Sequence, residues 1–363
     1  MRVVVIGNVP PPHGGISVHV IALHRFLARR GIDCRILDIE PTKRTEAVSS
    51  RVAALRVRGP FHYLLRVLFF SARGFLLHLH TNGHNLKSWL AIGVTLWSGI
   101  PFGRRHLVTI HSGLSPDYIR GASGWIRFLM RSSLFAGGRA IVVNAEIQRA
   151  LEELGVPKQR TVVLAACALE EMATALPQEI EAFRLRSSPF VSATVFFEPE
   201  YGAALLIEAM AKIRKRRPDL GIVLMGSGPG EERIRELVQV TGMERNCLLA
   251  GDLPHPVCLK VMAASSLFIR PAHFDGDSIS VREALALGIP VVASDAGQRP
   301  AGVNLFRRRD VHDLAKQVER VLGGLAENRP PSRRDLPLSE PVQREAPDSG
   351  ALHMLYNLYH EME

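Results

Sequence analysis

Short apolar, β-branched runs alternate with amphipathic helical patterns along this chain, and the scheme occurs twice, which admits few folds. In the first half, residues 3–6 form such a run, ended by Gly7. A loop with Pro10, Pro11, Pro12, Gly14 and Gly15 follows, then an amphipathic segment over 18–30 closed by Gly31. Further strand-like runs fall at 34–39, 75–79, 107–110 and 140–143. The second half repeats the pattern: strand 193–197, helix 202–217, strand 221–225, a Gly226-Ser227-Gly228-Pro229 turn, helix 231–240, strands 248–250, 267–270 and 290–293, and helix 310–322. This order predicts mainly parallel sheets with helices on both faces and ligands at the carboxyl ends of the strands. At 363 residues and 47% hydrophobic content the chain has core enough for two domains. Their expected bounds are 1–168 and 169–325. A Pro- and Arg-rich linker follows over 326–350, and a closing helix over 351–363.

Charge separates the halves. Residues 1–168 hold 22 Lys and Arg against 8 Asp and Glu, whereas the remainder holds 23 against 27. Between Arg51 and Arg131 eleven basic residues meet one acidic residue, Asp117, and are interleaved with Leu, Phe and Trp. Such a segment suits an anionic membrane surface or, in the plainer reading, a solvated basic face. No nucleic-acid-binding module accompanies it, so nucleic acid is not an expected partner. The longest nearly uncharged apolar run, 89–100, is far shorter than the roughly 20 residues that span a bilayer. No secretory signal pattern opens the chain. Cys34, Cys167, Cys247 and Cys258 stand singly, as buried thiols of a reducing compartment do. The expected location is cytoplasmic, with peripheral attachment to the inner membrane face as an option.

The most informative segment is LFIRPAHFDGDSISVREALALGIPVVASD, residues 267–295. A strand ending at Arg270 delivers a loop whose N–H groups, from Gly276 to Ile279, open a helix bearing Glu283, and a helix N-terminus favours anions. Asp277 or Ser278 also suits simple capping of that helix. The order of Asp275, Glu283, Ala284, Ala286, Gly288, Pro290 and Val291 to Ala293 resembles the signature of glycosyltransferase family 4. That resemblance implies a GT-B fold, two Rossmann-like doubly wound domains facing a central cleft. It further implies that Glu283 holds the nucleotide ribose, that Asp275 stands near the donor sugar, and that Gly276, Asp277, Ser278 and Ile279 contact its phosphates.

The chain departs from the family where an Arg and a Lys often clamp the diphosphate, because Phe196 and Tyr201 stand there. Arg270 is the expected replacement, with Arg282 a weaker one, since a departing diphosphate needs charge stabilisation. In the first domain, Gly14 and Gly15 resemble the family's glycine loop, and Thr109-Ile110-His111 its Thr-x-His segment, which implies that His111 lies beside the donor sugar. His80 and His84 are lesser candidates. The spacing of His78, His80 and His84 also suits zinc, but no thiol or carboxylate completes a ligand set, so no metal is expected. The resemblance implies a metal-independent, retaining transfer, with no cofactor, from a UDP- or GDP-linked sugar to a glycan or polyprenyl-linked acceptor in surface polysaccharide assembly. An impaired GT-B protein serving as a scaffold is the alternative that Phe196 and Tyr201 raise.

Overall fold

A computed structural model describes residues 1–39, 54–165, 172–327 and 349–362. Cys167, Arg51 and residues 328–348 of the expected linker lie outside them. The chain forms two compact units, one of residues 1–165 with 275–277 and 349–362, the other of residues 172–274 with 278–327.

In the first unit the strands are β1 (Arg2–Gly7), β2 (Asp33–Asp38), β3 (Ala54–Arg56), β4 (Leu76–Thr81), β5 (His106–Ile110), β6 (Gly138–Val142) and β7 (Thr161–Val163). Its helices are α1 (Gly15–Arg29), α2 (Pro60–Ala72), α3 (Leu86–Trp97), α4 (Ser115–Arg120), α5 (Gly124–Gly137) and α6 (Ala145–Glu153). The sheet order is β3-β2-β1-β4-β5-β6-β7, and its pairings are parallel. In the second unit, strands β8 (Phe190–Thr194), β9 (Gly221–Met225), β10 (Cys247–Gly251), β11 (Leu267–Arg270), β12 (Val291–Ser294) and β13 (Val303–Phe306) run parallel in the order β10-β9-β8-β11-β12-β13. Helices α7 (Gln178–Leu185), α8 (Ala203–Arg214), α9 (Glu231–Val240), α10 (His255–Ala264), α11 (Ile279–Ala286) and α12 (Val311–Glu327) cover it. The last helix of the chain, α13 (Ser349–Met362), belongs to the first unit.

Both sheets are buried on two faces, which explains why their strands read as continuous apolar runs. In β9, Ile222 and Leu224 join the core under α8, while Val223 and Met225 face α10 and α11. In the first unit α1 and α13 share one core through Val20, Leu23, Leu352, Leu355 and Tyr359. Each sheet reverses its strand order once, between β1 and β4 and between β8 and β11, and crevices for ligands open at the carboxyl ends beside such points.

One strand sits three residues ahead of its expected place. The apolar run predicted strand 193–197, yet β8 ends at Thr194. Val195 and Phe197 remain buried, but their N–H groups bond the carbonyls of Met225, the last residue of β9, and of Ser227 in the turn after it. Hydrophobicity there marks burial in a turn and not continuation of the strand. Gly226, at φ 140°, allows that turn, since a Cβ would meet the Val195 carbonyl oxygen at 1.9 Å.

Three neighbouring helices of the first unit break the usual surface rule. Helix α3 packs against α2 and α5, and each keeps apolar residues on its outer stripe. Phe61, Leu65 and Phe69 are exposed on α2, Leu90 and Trp97 on α3, and Trp125 and Phe128 on α5, the last 73% exposed. A helix apolar on both sides ordinarily has something covering the second side. Exposed Arg58, Arg73, Lys87, Arg104, Arg105 and Arg131 accompany these stripes. Among the described residues no helix is long and apolar enough to cross a membrane.

Candidate functional site

In the first unit the loop after β1 leads straight into α1. The backbone N–H of Gly14 donates to Ser17 Oγ at 2.9 Å, and that hydroxyl donates to the Pro12 carbonyl at 3.0 Å. A Cβ at Gly14 or Gly15 would meet no atom of the described residues within 4 Å, so both glycines border open space among them. The loops after β4 and β5 are stitched together, for His111 N–H donates to the Thr81 carbonyl, and His84 Nδ1 lies 2.9 Å from Ser112 Oγ.

Behind these loops four imidazoles meet. The alternation in His78-Leu79-His80 turns both histidines to one face of β4, where their ring centroids lie 4.1 Å apart. His80 Nδ1 is 3.1 Å from His111 Nε2, and His19 of α1 stands 5.0 Å from the His80 ring and 5.5 Å from that of His111. His78 is held at both nitrogens, by Tyr359 Oη of α13 at 2.5 Å and by Thr109 Oγ1 at 2.7 Å. Burial holds His78, His80 and His111 well below the ordinary histidine range, and the neighbouring rings push the same way. These rings are neutral at physiological pH. His19, Thr109 and His111 also line a small cavity of about 10 Å³ with Leu352 and Leu355 of α13, room for one water. His84 Nδ1 is engaged with Ser112, and among the described residues no group of three or more His, Cys, Asp or Glu could hold a metal ion.

Asp275, Gly276 and Asp277 fall in the first unit. Asn144 Nδ2 donates to the Gly276 carbonyl at 3.1 Å, and a Cβ at Gly276 would meet the His111 carbonyl oxygen at 2.1 Å. The position therefore admits only glycine.

The second unit builds a site of different character. Ser278 is the N-cap of α11, yet its side chain makes no capping bond. Its Oγ lies 3.1 Å from Ser280 Oγ, which accepts from Thr194 Oγ1 at 3.0 Å. Ile279 starts the helix and is buried, so any role it has towards a ligand falls to its backbone N–H. One turn further, buried Glu283 meets His255 Nε2 at 2.7 Å, the first residue of α10. Arg270 Nη1 donates to the Thr194 carbonyl at 3.0 Å, and its guanidinium carbon lies 5.7 Å from the Tyr201 ring centre. Tyr201 in turn meets Phe196 edge to face at 5.8 Å. A carboxylate, three hydroxyls, a helix N-terminus and a guanidinium thus converge at the carboxyl ends of β8 and β11. Groups of this kind suit sugar hydroxyls and phosphate.

Sequence reasoning missed His19, Tyr359, His255, Thr194 and Ser280, and it weighed His78 only for its zinc-like spacing. The alternation His78-Leu79-His80 was the signal for His78; Tyr359 and His255 had none, because only the fold brings them in.

Two family models cover most of the chain: Glycosyltransferase Family 4 over residues 13–165 and Glycosyl transferases group 1 over residues 188–325. The chain belongs to glycosyltransferase family 4. Among the proteins it is similar to, a GDP-mannose-dependent monoacylated α-(1-6)-phosphatidylinositol monomannoside mannosyltransferase of Corynebacterium glutamicum is 29% identical over 141 residues, 36% of each chain. A lipopolysaccharide core biosynthesis mannosyltransferase of Rhizobium meliloti is 27% identical over 186 residues, 49% of this chain and 50% of that protein. The matched region thus spans half or less of the length of these relatives. Sucrose-phosphate synthase of Thermosynechococcus elongatus superposes over 99% of both chains with a TM-score of 0.72 at 20% identity. Anabaena HepE in complex with UDP covers 99% of this chain and 95% of its own, with a TM-score of 0.65 at 15% identity. These structures share the GT-B fold of two Rossmann-like domains.

Proposed function

We propose that this family 4 protein transfers a sugar, with retention and without a metal or other cofactor, from a UDP- or GDP-linked donor to a glycan or polyprenyl-linked acceptor of surface polysaccharide. The observation that carries this reading is the second unit's set of Glu283, Ser278, Ser280 and Arg270 at the ends of β8 and β11. Glu283 accepts the ribose hydroxyls, the start of α11 takes the phosphates, and Arg270 meets the charge that develops on the leaving diphosphate. His111 and Asp275 attend the sugar, and Gly14 and Gly15 leave room for it. Retention follows from front-face attack, in which the leaving phosphate takes the acceptor proton. The names of the relatives, GDP-mannose-dependent and lipopolysaccharide-core mannosyltransferases, support the substrate class.

The test is thermal stabilisation by UDP, GDP and their sugars, beside a transfer assay. One nucleotide raising Tm in the wild type and failing to do so in Glu283→Ala supports a donor site and names the base. No shift with any nucleotide sinks the reading in favour of the scaffold.

The acceptor side includes an anionic membrane surface. The outer stripes of α2, α3 and α5, with aromatic rings beside cations, support docking in the lipid interface, where each basic residue contributes about 1 kcal/mol. Co-sedimentation with phosphatidylglycerol vesicles, lost in Trp125→Glu with Phe128→Glu and weakened by salt, is the expected result. Equal binding of the double variant refutes this surface.

A further inference from the structure

The buried pairing of His80 with His111 sets which nitrogen of His111 carries its proton. His80 is almost wholly buried on β4. Its Nδ1 faces His111 Nε2 at 3.1 Å, and its Nε2 has no hydrogen-bond partner among the described atoms. One hydrogen must lie between Nδ1 and Nε2 of the pair, and two arrangements satisfy that. In the first, His80 donates from Nδ1 and leaves a bare lone pair at its buried Nε2. In the second, His111 donates, and His80, neutral, must carry its proton on the buried Nε2 with nothing to receive it. Orphaned buried N–H groups are rarer than orphaned acceptors, so the first arrangement wins. Protonating both rings is opposed by burial and by the ring stack with His78 and His19.

We infer that His80 is a positioning residue that locks His111 as the neutral Nδ1–H tautomer, so that His111 serves as a hydrogen-bond donor to a sugar oxygen and not as a base. His111 Nε2 is spent on His80, and its remaining proton is on the nitrogen that points away from the pair. Such a ring gives a hydrogen bond to a hydroxyl or ring oxygen and has no lone pair there with which to remove a proton. His78, fixed between Tyr359 and Thr109, backs the His80 ring and holds its plane.

The role towards the sugar rests on the proposed transfer; the tautomer does not, and the experiment separates them. Two-bond ¹H–¹⁵N correlation spectra of histidine-labelled full-length protein report the protonated nitrogen of each ring, with His111→Gln used to assign the signal. Wild type is expected to show His111 protonated at Nδ1. His80→Leu is expected to move the proton to Nε2 or to mix the tautomers, whereas His80→Asn, whose amide N–H can take the place of Nδ1–H, restores the wild-type pattern. In a transfer assay, His80→Leu should lower kcat about fivefold, the scale of one neutral hydrogen bond, with nucleotide affinity unchanged, and His80→Asn should recover most of the loss. A wild-type His111 protonated at Nε2, a tautomer unaltered in folded His80→Leu, or a folded His80→Asn that fails to restore the wild-type pattern overturns the inference. The expected spectra together with full transfer in His111→Gln would keep the tautomer and remove His111 from the reaction.

Discussion

The two units repeat one strand order and put opposite chemistry at its switch point. The first gathers neutral imidazoles, deep and hydrogen-bonded to one another and to hydroxyls. The second gathers a carboxylate, a guanidinium and three serine or threonine hydroxyls around the start of α11. A fold therefore fixes where a ligand sits, whereas the side chains decide what it is. Charge suits a nucleoside diphosphate; uncharged donors suit a sugar.

The largest expected effect tests the charged half. Glu283→Ala should lower kcat/KM by roughly 10²-fold, the loss of about 3 kcal/mol of charged hydrogen bonds, and should abolish nucleotide-induced stabilisation. Glu283→Gln, which keeps an acceptor for His255, should lose less; an equal loss in both would mean that the charge itself is what matters.

Acid should strike the first unit. Burial and nearby Arg104 lower His106 from 6.5 to about 4, while its Nδ1 accepts from Leu77 N–H and its Nε2 meets Ser71 Oγ. The unfolded chain therefore binds that proton first, so this contribution is complete above pH 6.5 and lost as pH falls towards 4. At pH 5 His106 alone costs about 2 kcal/mol, and His78, His80 and His111 act in the same direction. Trp89, Trp97 and Trp125, the only tryptophans, lie in the first unit. Their fluorescence in urea titrations at pH 7 and pH 5 should report the loss, and an unchanged midpoint would contradict it.

Arg270→Ala should weaken nucleoside diphosphate binding about 20-fold, near 2 kcal/mol, with a smaller effect on the bare nucleoside. Equal weakening of both, by calorimetry, would remove Arg270 from the phosphates. The smallest effect belongs to the uncharged half: His111→Ala should lower kcat about tenfold while leaving UDP or GDP affinity unchanged. If nucleotide affinity fell as well, the division of labour between the units would fail.

Much of this was legible in the residues. The alternation of runs foretold two doubly wound sheets because strands buried on both faces must be apolar throughout, and helix 231–240 matched α9 at both ends. The short strands β3, β7 and β13 went unread, since three or four residues at a sheet edge carry little pattern. Glu283 stood out through its neighbours in sequence. Its partner His255 did not, because 28 residues and a strand separate them. Arg270 was expected at a strand's carboxyl end, and it lies there, yet its contact with Tyr201 depended on the turn after β8, where hydrophobicity had pointed to strand.

Helix α13 supplies Tyr359 to His78 and Leu352, Leu355 and Leu358 to the core beneath α1. On a ribosome, the first unit emerges with that side of its sheet bare, and it must wait through the making of the whole second unit before the covering helix arrives. The histidine cluster is therefore among the last parts of the molecule to be completed. An amino-terminal half produced alone would expose an apolar face that chaperones recognise, and supplying residues 349–362 as a separate peptide is the way to close it.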